Sequence, residues 1–156
     1  MGILEQAEIL RNAVTSVFST MLGTDLVSLD PFQDLTPPQE SEISAIIGLA
    51  GDVAGCVSLH STREQATEFT ARLIGMDVED VSSDDEVRDA FGEILNMIAG
   101  NVKTALVSLG EVEIALPTVI TTPKAQIRVQ GATGTVVPFE DYTGVFYVEL
   151  VVDKGA

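Results

Sequence analysis

Apolar residues recur at Ile3, Ala7, Leu10, Val14, Val17 and Met21, in steps of four and three that place them on one stripe of a helix over residues 3–22. Gly23 follows as a natural C-terminal stop. A short strand fits residues 26–29. Residues 30–39 read as a loop, because Pro37 and Pro38 remove backbone donors and resist helix. The period then switches to two. Ile43, Ala45, Ile47 and Leu49 alternate with Ser44, Ile46 and Gly48, and residues 53–60 return after a turn near Ala50, Gly51 and Asp52, which predicts a β-hairpin. Thr62 followed by Gln65 is a capping-box pattern that opens a second helix, ending at Gly75. Ser83 and Glu86 repeat the pattern, and Asp84, Asp85 and Glu86 put negative charge where a helix dipole favours it. The third helix is predicted to run to about Leu109, with Gly110 as its stop, which is long for a globular protein.

The remainder is strand-rich. Val112, Ile114 and Leu116 alternate with Glu111, Glu113 and Ala115; Ala125, Ile127 and Val129 alternate with Lys124, Gln126 and Arg128. Residues 135–139 and 145–152 flank a turn at 141–144. The elements together predict an α+β fold: a mostly antiparallel sheet with one face under a layer of helices, one of them long.

Composition narrows the function classes. The 156 residues predict a single domain over 1–156, and 46% hydrophobic content fills a core. Eight basic residues stand against 24 acidic ones, for a formal net charge of −16. That balance argues against nucleic acid, whose phosphates need Lys/Arg clusters, and against anionic membrane surfaces. Cys56 is the lone cysteine, so no intramolecular disulfide can form. The N-terminus becomes charged at once, unlike a signal peptide, and no apolar run approaches the ~20 residues of a membrane span. A cytoplasmic protein is the expectation.

The usual catalytic sets are missing. The single histidine, His60, ends a predicted strand and reads as structural. Cys56 lies in an apolar strand and reads as a small core residue rather than a reactive thiol. No Cys/His spacing suits zinc, no phosphate-binding glycine loop opens a helix, and no calcium loop is present. Gly131 to Gly134 lies between strands and reads as a turn. An enzyme built this way must need few groups of its own.

The long helix carries two stripes. At about 100° per residue, Val87, Phe91, Ile94, Ile98, Val102, Ala105 and Leu109 form the core side. Asp89, Glu93, Asn96, Gly100 and Lys103 fall opposite, pointing outward. A solvated face alone would explain polar residues there. It does not explain Gly92, Asn96, Gly100 and Asn101, poor helix formers that each cost roughly 0.5–1 kcal/mol relative to Ala. The two glycines serve either close packing or the close approach of a partner.

The run Asp89-Ala90-Phe91-Gly92-Glu93-Ile94-Leu95-Asn96-Met97-Ile98-Ala99-Gly100-Asn101 resembles the D-x-x-x-E-x-x-N signature of the CheC/CheX/FliY phosphatases, which act on phosphorylated CheY-type response regulators. Residues 12–23, ending Ser19-Thr20-Met21-Leu22-Gly23, resemble the first helix of CheX, and residues 116–120 the segment after its signature helix. CheC-type relatives carry a second E-x-x-N site on the first helix. Here Glu8 is followed by Arg11 instead, so the resemblance is to single-site, CheX-like members.

The resemblance implies a CheC-like fold, a homodimer, and hydrolysis of the aspartyl phosphate on a CheY-like receiver domain. It implies that Asn96 positions the attacking water and that Glu93 pairs with the receiver's active-site lysine. It further implies that Asp89, Gly92 and Gly100 belong to the partner-binding surface. An acyl phosphate is already activated, and Mg2+ comes with the receiver, so the chain needs no cofactor or metal of its own. Two other readings stay open: a receiver-binding adaptor that kept the surface without turnover, and a dimeric structural protein with no receiver partner.

Overall fold

The computed structural model describes residues 1–34, 41–125 and 134–153. In chain order these form α1 (Ile3–Val17), β1 (Val27–Ser28), β2 (Phe32–Asp34), β3 (Ser41–Gly51), β4 (Ala54–Ser61), α2 (Arg63–Ile74), α3 (Asp84–Ala105), β5 (Val112–Ile114), β6 (Thr118–Ala125), β7 (Gly134–Asp141) and β8 (Gly144–Asp153). The strands make one antiparallel sheet in the order β1-β7-β8-β4-β3-β5, with β2 also on β7 and β6 also on β3. The predicted α+β architecture is the one observed. No helix among the described residues is long and apolar enough to cross a membrane.

Alternation along the strands decides which face the helices cover. Ile43, Ala45, Ile47 and Leu49 of β3 join Val57 and Leu59 of β4 and Phe146, Val148 and Leu150 of β8 in one apolar cluster. Ala7, Leu10 and Val14 of α1, Phe69 of α2, and Phe91, Ile94, Leu95, Ile98 and Val102 of α3 complete it. Phe18, Phe69, Phe139 and Phe146 gather at one end, with ring centroids 5.0 to 5.8 Å apart. They join the end of α1 to α2 and to the β7–β8 hairpin.

The first helix follows the predicted span but not the predicted face throughout. After Val17 the backbone widens into a π-helical turn, Phe18–Leu22, and Gly23 closes it in the left-handed conformation with its N–H donating to the Phe18 carbonyl. A π turn advances fewer degrees per residue than an α turn. Phe18 and Leu22 therefore take the buried places, and Met21, expected in the core, is 46% exposed. The third helix is corrected in the same sense. It ends at Ala105 and tightens into a 3-10 turn, Val107–Leu109, so Leu106 is buried while Ala105 and Leu109 lie outside.

Three further expectations change. Leu116 is 88% exposed instead of facing the core. Strand β5 stops at Ile114, and Pro117, which has no N–H for the ladder, breaks the run before β6 begins at Thr118. Strand β6 was not expected to begin so early, nor was β2 expected inside the loop. The capping box at Thr62 and Gln65 forms both its bonds. At α3 only half forms: Ser83 accepts from the Glu86 N–H, while the Glu86 carboxylate takes a bond from Ser82. The expected prolines of the loop at 37 and 38, the alternation at Ile127 and Val129, and most of the turn ending at Gly134 lie outside the described residues.

The face of the sheet away from the helices holds a small polar chain. Ser44 Oγ lies 2.8 Å from His60 Nδ1, and His60 Nε2 lies 3.0 Å from Ser58 Oγ. Burial pushes His60 down from 6.5 to about 4, so the ring is neutral at ordinary pH. On the same face, burial and the nearby Glu149 raise the Cys56 thiol to about 11. Neither group is poised for chemistry, as the sequence suggested. The His60 shift has a thermodynamic consequence. Between about pH 6.5 and 4 the unfolded chain binds a proton at this position that the folded chain refuses, so stability falls as pH falls through that window. Urea unfolding of wild type at pH 7 and pH 5 is expected to show about 2 kcal/mol more loss than His60→Gln shows over the same interval. Equal losses in the two proteins would mean that His60 titrates normally.

Candidate functional site

The candidate site is the outward side of α3, and its geometry is set by how the other side is held. Phe91, Ile94, Leu95, Ile98, Ala99 and Val102 are buried against the sheet and α1. Three polar ties fix the helix along its length. The Asp84 carboxylate pairs with Arg63 at the start of α2. Arg88 donates to Thr121 Oγ1 at 3.0 Å and to the Val119 carbonyl at 3.1 Å, which binds α3 to β6. Asn101 donates to the Ala13 carbonyl of α1 at 3.3 Å. Beyond the helix end, Asp52 accepts from the Glu111 N–H at 2.9 Å through its carboxylate and donates its own N–H to the Glu111 carbonyl. This tie needs Gly110, where an added Cβ would sit 2.4 Å from the Asp52 Cβ.

With the helix held this way, Asp89, Glu93 and Lys103 are exposed, and Asn96 and Gly100 are half-buried. Glu93 and Asn96 stand one turn apart on the same face, the separation that brings side chains within about 5–6 Å at Cβ. Among the described residues, no hydrogen bond or ion pair engages either side chain. A carboxylate and a carboxamide held on a rigid helix and left without internal partners are available to an incoming molecule. The carboxamide both donates and accepts without ionising, and the carboxylate accepts from a cation. Among the described residues, no group of three His, Cys, Asp or Glu side chains is placed to hold a metal.

The two glycines part company. Gly92 was expected on the partner-binding surface, but it is buried, and a Cβ there would come within 3.3 Å of Val119 Cγ2 and 3.5 Å of Pro117 Cγ. The close approach at Gly92 is made by the protein's own segment between β5 and β6. At Gly100 an added Cβ would meet nothing within 4 Å, so this glycine leaves open space beside Asn96. Arg88, which orients the helix, carries no signal in the sequence that separates it from ordinary surface residues, whereas Asn101 stood out only as a poor helix former. Exposed apolar side chains border the stripe on both sides. Leu116, next to the Pro117 that packs on Gly92, lies on one side, and Met21 of the π turn on the other.

A family model described as chemotaxis phosphatase CheX matches residues 43–140, more than half of the chain and all of α3. The chemotaxis protein CheX of Desulfovibrio desulfuricans superposes with a TM-score of 0.86 at 28% identity, covering 96% of this chain and 99% of that one. The CheX of Borrelia burgdorferi, solved in complex with CheY, BeF3 and Mg2+, gives a TM-score of 0.76 at 26% identity over 94% and 97% of the two chains. FliY of Thermotoga maritima shares the fold, with a TM-score of 0.65 at 15% identity over 96% and 90%. A comparison with curated proteins finds no match. The family model spans the helix that presents Glu93 and Asn96, and the chain belongs to the chemotaxis phosphatase CheX family.

Proposed function

We propose that this protein hydrolyses the aspartyl phosphate of a CheY-like receiver domain, with Asn96 placing the attacking water and Glu93 holding the receiver's active-site lysine. The observation that carries this reading is the outward pair itself: Glu93 and Asn96, adjacent, unengaged and fixed on a helix tied at three points. Family membership and the Borrelia burgdorferi CheX–CheY complex support the class of partner.

The chemistry asked of the chain is small. In transfer of a phosphoryl group there is little covalent work for the protein, and catalysis is mostly positioning and electrostatics. The divalent cation that neutralises developing charge belongs to the receiver in this reading. Asn96 supplies an acceptor for a water proton and a donor beside it, which aims one lone pair at phosphorus without a general base. Glu93 meets the lysine with a charge-assisted bond and fixes the docking angle. Asp89, one turn before Glu93, extends the same acidic stripe. Gly100 lets the receiver backbone come close beside Asn96. The net charge of −16 does not oppose this, since charges beyond about 8 Å are screened at physiological salt. The homodimer belongs to the same proposal; a monomer mass in sedimentation would remove it without touching the chemistry.

Decay of a phosphorylated receiver, measured with and without the protein, tests the assignment. Asn96→Ala is expected to lose about 10²–10³-fold of the stimulated rate, as removal of one positioned polar group does. Glu93→Ala is expected to weaken binding and rate together. Equal decay with wild type and Asn96→Ala would sink the role of Asn96, and binding without acceleration by wild type would make the protein an adaptor. Gly100→Ala separates stability from docking. It is expected to raise thermal stability by about 0.5–1 kcal/mol, because the added methyl is unopposed, while lowering the stimulated rate. A variant that is both stabler and fully active would mean that no partner approaches there.

A further inference from the structure

The π turn at the end of α1 moves a methionine from the core to the surface, and it does so beside the working stripe. Phe18 is anchored between Phe69 and Phe146, and Leu22 is drawn into the core behind it, which leaves Met21 outside. Single π turns of this kind concentrate at functional sites. Met21 lines a groove of about 280 Å3 with Ser16, Val17, Thr20, Met97 and Asn101. Met97 stands one turn after Glu93 and one turn before Gly100 on α3, so the groove and the stripe share a rim.

The lining states what the groove can take. It contains no charged side chain, in contrast with the acidic stripe beside it. Two thioethers, flexible and polarisable, give it an apolar wall that adapts to different shapes. It is smaller than the pockets of about 300–1,000 Å3 that enclose small-molecule ligands, and suits a single side chain.

We propose that this groove is a recognition subsite for the phosphorylated receiver, which seats one apolar side chain from the receiver surface around its phosphoaspartate, and that Met21 sets how tightly each receiver is held. The proposal rests on the reading in the preceding subsection. A protein that docks on Asn96 with an interface of ordinary size covers about 800 Å2 of this surface, far more than the stripe itself, and therefore reaches a groove whose rim at Met97 lies one helical turn from Glu93 and Gly100. A second copy of this chain is the competing occupant. It would sit over Asn96 and block it, so the receiver fits the geometry better.

The test measures steady-state dephosphorylation of a CheY-like receiver, together with binding of the same receiver loaded with beryllofluoride and Mg2+. Met21→Glu is expected to raise both KM and Kd by about tenfold or more while kcat stays within about twofold. Met21→Leu is expected to keep wild-type values, and the sedimentation mass of Met21→Glu to match that of wild type. Unchanged KM and Kd in Met21→Glu, with wild type active, would overturn the subsite and leave the roles of Glu93 and Asn96 standing. Loss of an oligomer in Met21→Glu alone would give the groove to a contact between copies and overturn it too. A wild-type protein that neither binds nor dephosphorylates any CheY-like receiver of the same cell would overturn the underlying function, and the subsite with it.

Discussion

Everything at the site depends on the burial of one side of α3. The side chains from Phe91 to Val102 that face the sheet and α1 are removed from water, and this fixes the rotation of the helix about its axis. A different rotation would expose those apolar groups and would also drive the Glu93 carboxylate into a region where nothing could pair with it. Burying an unpaired charge costs several kcal/mol, so the apolar and polar faces enforce the same rotation. The polar ties through Asp84, Arg88 and Asn101 then set the position of the helix along and across the sheet. Glu93 and Asn96 are held by what lies behind them, not by contacts of their own.

The aromatic cluster plays the corresponding part for the end of α1. Phe18 stacks on Phe146 at 5.1 Å and meets Phe69 edge-on at 5.0 Å, a geometry that aromatic pairs favour beyond their buried area. Keeping Phe18 and Leu22 both inside requires the wider turn. The same packing that seals the core therefore shapes the groove lined by Met21 and Met97. Core and candidate site are two sides of one set of contacts.

Much of this was legible in the residues. Steps of three and four marked α1 and α3, the alternation at Ile43 to Leu49 marked β3, and Thr62 with Gln65 announced α2 and its cap. The outward placement of Asp89, Glu93 and Asn96 followed from helical spacing alone. What was not legible arises from tertiary contacts. The pattern at residues 17–22 admits two buried sets, and only the rings packed around Phe18 choose between them. Leu116 fits an alternating strand until Pro117 is seen to interrupt the ladder. Gly92 could have faced a partner or the chain itself, and nothing local distinguishes the two; the answer lies in Pro117 and Val119, 25 and more residues further on. The assignment of Glu93 and Asn96 as a site, as opposed to part of a solvated face, came from resemblance.

Holding Glu93 and Asn96 on one tied helix has a consequence for signalling in the proposed reading. Both groups ride on a single rigid body, and among the described residues neither has an internal bond to break before it can engage a partner. Such a surface acts as a steady drain on the phosphorylated pool. The lifetime of the phosphoryl mark is then governed by how many copies of this protein a cell makes and by how fast the mark is written, and a cell that needs a quicker response obtains it through expression level.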